Sequence, residues 1–188
     1  MSIGISARLA IGAVVASAAV PALGDPLPSG SIGFTVGGTS GTGADAKRIG
    51  WGLVYGGYAT WQPMTTEQRL GWSLKWSALS GTMFSASAAR ISELGTLQFD
   101  MLGGIRIRPG VSSERFLSVR AGPTLFRANQ PIPTEMQRVF VGGVGSIGFE
   151  QYVSAWLFDV INVDIRYSMV VNGPSAISLV IGIAKIGP

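Results

Sequence analysis

The chain contains no cysteine and no histidine. The first absence removes disulfides and thiolate metal sites. The second removes the commonest general base, the commonest metal ligand and the usual charge switch near neutral pH. Charge is scarce as well. Asp, Glu, Lys and Arg make up 13% of the 188 residues, against about 25% in ordinary soluble domains. A water-facing surface so poor in charge is hard to keep monomeric. The net charge of +4 and a pI near 9.9 do not point to nucleic acid, because the basic residues are scattered singly with no cluster or aromatic-interleaved patch.

What the sequence has instead is glycine, 27 residues of it, and an apolar start. Met1 to Arg8 carries one positive charge, Leu9 to Val20 is apolar and rich in Ala and Val, and Pro21-Ala22-Leu23-Gly24 follows. That order matches the regions of a secretory signal peptide, with cleavage expected before Asp25 or, as a second candidate, after Ala16-Ser17-Ala18. The apolar run is short for a spanning helix, which needs about 20 residues. A retained anchoring helix is the alternative for residues 1–24. Residues 25–188 carry the fold.

After Pro28 the dominant signal is alternation, the signature of strands with two chemically different faces. The clearest strand sets Leu70, Trp72, Leu74, Trp76 and Ala78 against Arg69, Gly71, Ser73, Lys75 and Ser77. Another sets Trp51, Leu53, Tyr55, Gly57, Ala59 and Trp61 against Gly52, Val54, Gly56, Tyr58 and Thr60. Leu97, Phe99, Met101, Ile105 and Ile107 oppose Gln98, Asp100, Gly104, Arg106 and Arg108, and Ile161, Val163, Ile165, Tyr167 and Met169 oppose Asn162, Asp164, Arg166 and Ser168. Less regular segments of the same kind centre on Phe34, Val119, Ile147 and Leu179. Gln62-Pro63, Pro109-Gly110, Gln130-Pro131 and Asn172-Gly173-Pro174 supply turns. Segments of about 9–13 residues suit tilted strands that cross a bilayer. Even spacing and short linkers predict an all-β, eight-stranded antiparallel up-and-down transmembrane barrel.

Alternation alone also fits a soluble, lipocalin-like barrel that binds lipid inside. The minor face separates the two readings. It is mostly Gly, Ser and Thr with isolated charges, which suits a narrow interior better than a solvated exterior. Trp51 and Trp61 share the apolar face ten residues apart, about 25 Å along the membrane normal at a tilt near 40°. That spacing places them at the two interfacial girdles. Helical spans fit less well. The uncharged stretches Ile49–Thr66 and Tyr167–Ala184 both contain breakers.

With these strands placed, the chain resembles the small outer-membrane barrels of the OmpA/OmpX kind over Ser31 to Ile186. Leu117-Ser118-Val119-Arg120-Ala121-Gly122-Pro123 and Val163-Asp164-Ile165-Arg166-Tyr167 are similar to strands of that superfamily. The resemblance implies an exported protein of a Gram-negative-type outer membrane. The chain departs from many members in ending Ile186-Gly187-Pro188 rather than in an aromatic residue, and in lacking long surface loops.

The polar cluster expected in the lumen is Lys75, Asp100, Arg106, Arg120, Arg138, Glu150, Asp164 and Arg166. Hairpin pairing places Lys75 level with Asp100, and the two are expected to pair. Catalytic groups are not expected. Barrel enzymes that resemble this one rely on histidine, and nearby cations would hold Asp100 and Asp164 ionised. The Gly-rich stretch from Val36 to Gly43 lacks the Lys-Ser/Thr ending of a phosphate loop. No cofactor or metal is expected. The functional expectation is a structural or scaffolding barrel whose partners are the lipid bilayer and other proteins of an envelope assembly. A narrow conduit for small solutes or apolar molecules is the alternative.

Overall fold

The computed structural model describes residues 27, 29–43, 50–87, 90–110, 114–129, 139–153, 155–171, 173 and 175–186. The signal-like segment and Arg138 lie outside the described residues. Eight strands follow one another in chain order: β1 Gly30–Gly41, β2 Trp51–Trp61, β3 Leu70–Ser87, β4 Arg90–Ile107, β5 Arg115–Ala128, β6 Val139–Tyr152, β7 Val160–Val170 and β8 Ser175–Ile186. Each pairs antiparallel with its neighbour, and β1 pairs with β8 from Ser31↔Ile186 to Gly41↔Ala176. The sheet is therefore a closed barrel, and closure leaves no strand edge around its girth.

The alternation read from the sequence runs outward and inward as expected. Trp51, Leu53, Tyr55 and Trp61 of β2 are exposed, while Val54, Tyr58 and Thr60 between them are buried. On β7, Ile165, Tyr167 and Met169 are exposed while Asp164, Arg166 and Ser168 are buried. An apolar exterior around a charged interior inverts the arrangement of a soluble protein. It also excludes the lipocalin-like arrangement, which needs its apolar face inside. The described residues of the two uncharged stretches weighed as helices form strands and turns.

Inward glycines let the wall curve tightly. A Cβ on Gly104 would meet the Val119 carbonyl oxygen at 2.0 Å. Pro123 sits within β5 although a proline cannot donate to a ladder. The β4–β5 pairing runs to Asp100↔Thr124 and resumes at Gly103↔Ala121, so the interruption falls opposite Pro123.

Four strands exceed the expected length of about 9–13 residues, β5 and β6 by one residue at 14 each and two by more. β3 and β4 have 18 residues each, and they remain paired up to Ser87↔Arg90. The neighbours stop short: β2 begins at Trp51 opposite Phe84, and β5 ends at Ala128 opposite Thr96. Among the described residues the hairpin therefore stands above the rest of the rim. Its length escaped the pattern because the outward face changes chemistry above Ala78, where Ser80 and Thr82 replace apolar residues. Amphipathic alternation ends there although backbone pairing continues.

Candidate functional site

The interior holds the only concentration of charged side chains among the described residues, and most lie in the half nearer the chain termini. Parity along the strands puts them there: Lys75 on β3, Asp100 and Arg106 on β4, Arg120 on β5, Glu150 on β6, and Asp164 and Arg166 on β7. All seven are buried, and Asp164 and Arg106 have no exposed surface. A buried charge without a partner is costly, so the pairing decides whether this interior is stable.

Two linked groups satisfy it. In the first, Lys75 forms an ion pair with Asp164 across the lumen and donates to Asn162 Oδ1 at 3.2 Å. Arg120 bridges both acids: one guanidinium nitrogen pairs with Glu150, and Nη1 lies 3.5 Å from Asp164 Oδ1. Its Nε donates to Ser73 Oγ at 2.7 Å. Arg106 reaches Glu150 Oε2 at 3.2 Å and the Tyr152 hydroxyl at 3.0 Å, with its guanidinium 3.6 Å over the Phe116 ring. Gln62 donates to Glu150 Oε1 at 3.1 Å. In the second group, Asp100 accepts from Arg166 Nη1 at 3.0 Å, Ser77 Oγ at 3.0 Å, Gln98 Nε2 at 2.8 Å and Thr124 Oγ1 at 2.6 Å.

The expected pair of Lys75 with Asp100 is corrected here. In the observed register Lys75 faces Leu102 and Asp100 faces Ser77, a shift of two residues. In a narrow barrel a long side chain crosses the lumen more readily than it bends back along its own wall, so Lys75 meets Asp164 of β7. Seven of the eight expected luminal residues belong to the network, and Arg138 lies outside the described residues. Several partners were not expected as site residues: Gln62, Ser73, Ser77, Gln98, Thr124, Tyr152 and Asn162. All but Gln62 and Tyr152 were legible as minor-face residues. Gln62 was read as a turn residue.

Above the charges, toward the loops, the lumen is filled by Val54, Leu79, Met83, Phe126 and Val170 with a few hydroxyls. The cavity left there is about 10 Å³, at the lower limit for one water molecule. At the terminal end, Gly148 makes room for the ion pairs, since a Cβ there would lie 2.3 Å from Asp164 Oδ1 and 2.6 Å from Ser118 Oγ. Among the described residues the arrangement is a packed plug.

Outside, the aromatic residues occupy two levels. Near the loops Trp51 packs on Phe84 with ring centroids 5.0 Å apart. Near the termini Trp61 meets Trp72 edge-on at 4.4 Å. Between them lie Leu53, Tyr55, Phe99, Val119 and Ile165, all exposed. An apolar band with aromatic margins is the lipid-facing surface of a membrane barrel. Below it, Lys185 Nζ pairs with Asp159 Oδ1 at 2.9 Å, and Asp159 Oδ2 accepts the Ile186 N–H at 3.0 Å. These two hydrogen bonds, the backbone one foremost, hold the Asp159 carboxyl below the usual range.

No protein-family model and no curated protein sequence matches the chain. Its architecture is similar to that of Ail, the attachment invasion locus protein of Yersinia pestis. The structure of Ail with the heparin analogue sucrose octasulfate gives a TM-score of 0.56 at 13% identity, covering 86% of this chain and 98% of that one. A second Ail structure gives 0.52 at 14% identity, with the same coverage. At such identity the likeness is one of fold, and the chain has the closed eight-stranded barrel fold of a small outer-membrane protein.

Proposed function

We propose that this chain is an integral outer-membrane barrel with a structural role, anchoring a contact surface of an envelope assembly in the bilayer. The observation that carries the reading is the combination of an apolar exterior with a lumen closed by ion pairs. Such a body holds a position in a membrane and has no path through it. The catalytic constellations that histidine or cysteine would supply are excluded by composition.

The β3–β4 hairpin gives the anchor something to present. Among the described residues no strand pairs with β3 above Phe84 or with β4 above Thr96, where only Asn129 bonds to Gly95, and unpaired strand edges are templates for another chain. In bacterial barrels the longer connections face the cell exterior and the short turns the periplasm, which puts this hairpin on the outer side.

Two experiments on the full chain test the proposal. Heat-modifiable migration in SDS gels with membrane-fraction recovery checks the anchor, and detergent-free solubility without a mobility shift refutes it. Cross-linking in whole envelopes checks the contact surface. Removing the hairpin tip (residues 85–92) should abolish a specific adduct while leaving heat-modifiability intact. An unchanged adduct pattern refutes the role given to the hairpin.

A further inference from the structure

The lipid-facing wall is not uniform. Along its outer surface runs an apolar groove of about 680 Å³, where the small residues Ala59, Ala78 and Pro123 lie beside Trp76, Phe99 and Leu125. Strand pairing gives its course. Gly57 faces Ala78, Ala78 faces Phe99, Phe99 faces Leu125, and Leu125 faces Val141. The groove therefore crosses from β2 to β6 along the hydrogen-bonding direction, about 19 Å at ~4.8 Å per strand. Because the strands are tilted, this row climbs toward the loop rim as it passes from β2 to β6. A span of that length compares with the ~15 Å depth of one hydrocarbon leaflet.

The upper end of the row meets a cation. Arg127 lies on the same outward face as Leu125, one step nearer the rim, or about 7 Å along the strand. It is exposed, and its neighbours across the ladders are the apolar Leu97 and Val139. Among the described residues no carboxylate pairs with it. By contrast, Lys185 on the opposite rim has Asp159. A guanidinium with no carboxylate partner among the described residues, at the edge of hydrocarbon, is complementary to a phosphate, which it can grip with two parallel hydrogen bonds.

We infer that the groove and Arg127 together form a binding site for an anionic phospholipid. The headgroup phosphate sits on Arg127, and one acyl chain descends along the groove past Phe99 and Ala78 toward Ala59. The inference rests on the membrane-anchor reading, and heat-modifiable migration of each variant checks that reading separately.

Native mass spectrometry of the full detergent-solubilised chain, with phosphatidylglycerol or phosphatidylcholine added at equal concentration, tests the site. Phosphatidylglycerol should give a one-lipid species at least fivefold more abundant than phosphatidylcholine does. Arg127→Gln should bring the ratio close to one, and Arg127→Lys should retain part of the preference. Ala78→Phe should reduce retention of phosphatidylglycerol with Arg127 intact, and Ala59→Leu serves the same purpose if Ala78→Phe does not fold. Equal retention of the two lipids by the native chain overturns the inference. So does a preference that survives Arg127→Gln, or one that groove filling leaves untouched. A dimer dispersed by groove filling would assign the surface to a second copy and overturn it as well.

Discussion

Replacing Lys75 with methionine is the most direct probe of the plug. It keeps the volume and removes the charge, leaving Asp164 with no exposed surface and without its cross-lumen partner. Breaking a buried pair costs about 3–5 kcal/mol because the remaining charge stays buried. Asp164 still has Arg120 Nη1 at 3.5 Å, which places the expected loss near the lower end, about 3 kcal/mol. Unfolding in urea, followed by the loss of the fast-migrating folded band, measures it. Adding Asp164→Leu should recover most of the loss, because Arg120 is also held by Glu150 and Ser73. That implies a coupling of about 2–3 kcal/mol in the double-mutant cycle. Exchanging the charges of Lys75 and Asp100 should give no rescue, since these residues do not touch. A loss under about 1 kcal/mol for Lys75→Met, or rescue through Asp100, would refute the assigned pairing.

Four further outcomes follow from the same geometry. Gly148→Ala pushes a methyl against Asp164 Oδ1 and Ser118 Oγ and should cost about 1–3 kcal/mol in the same urea assay; a neutral result would show the plug to be looser than drawn. In planar bilayers the native chain should give no conductance steps, because the lumen leaves a cavity of about 10 Å³; regular steps would overturn the closed interior. Variants retaining a single tryptophan, read with lipids brominated at different depths, should place Trp51 and Trp61 at opposite interfaces and Trp76 nearer the bilayer centre. The depressed Asp159 pKa implies stability that is fully present above the unfolded value of about 4 and lost as pH falls through the lower folded value. Asp159→Asn should flatten that acid limb of the urea midpoint against pH, and an unaltered limb would remove the clasp on Ile186 from the stability account.

The strand faces were legible because a membrane barrel writes its architecture in the simplest code, apolar on every second residue. Lys75, Arg120 and Asp164 could be placed inside from parity alone. Pairing across the lumen could not, since parity fixes a residue's side of the wall and says nothing about which distant strand lies opposite. A two-residue shift of one hairpin was enough to exchange Asp100 for Leu102 beside Lys75. The upper halves of β3 and β4 were hidden for a different reason. On β3 the outward face carries Ser80 and Thr82 beyond Ala78, so the apolar alternation stops there although Leu79 and Met83 continue the buried face. The groove was likewise invisible, because it arises from small residues of β2, β3 and β5 that come into line only when the strands pair.

The charged plug also bears on why this sequence chooses one register. Sliding any strand by one residue turns its inward set outward. For β5 that would carry Arg120 from its carboxylates into hydrocarbon, at about 2–4 kcal/mol near the bilayer centre, and would bring Val119 and Leu117 against Glu150. For β3 it would expose Lys75, and for β7 it would expose both Asp164 and Arg166. An apolar filling of the lumen could equal the plug in stability, since buried ion pairs repay little beyond their own desolvation. It would discriminate less between registers, because a slipped strand would then expose no charge to lipid. The ion pairs therefore act through the alternatives they penalise. Filling the sites of Lys75, Arg106, Arg120, Glu150 and Asp164, the whole of the first ion-pair group, with leucine and methionine should accordingly preserve resistance to urea while lowering the yield of correctly folded barrel on refolding into vesicles. A leucine-filled variant that refolds as completely as the native chain would show that the pattern of the exterior sets the register unaided.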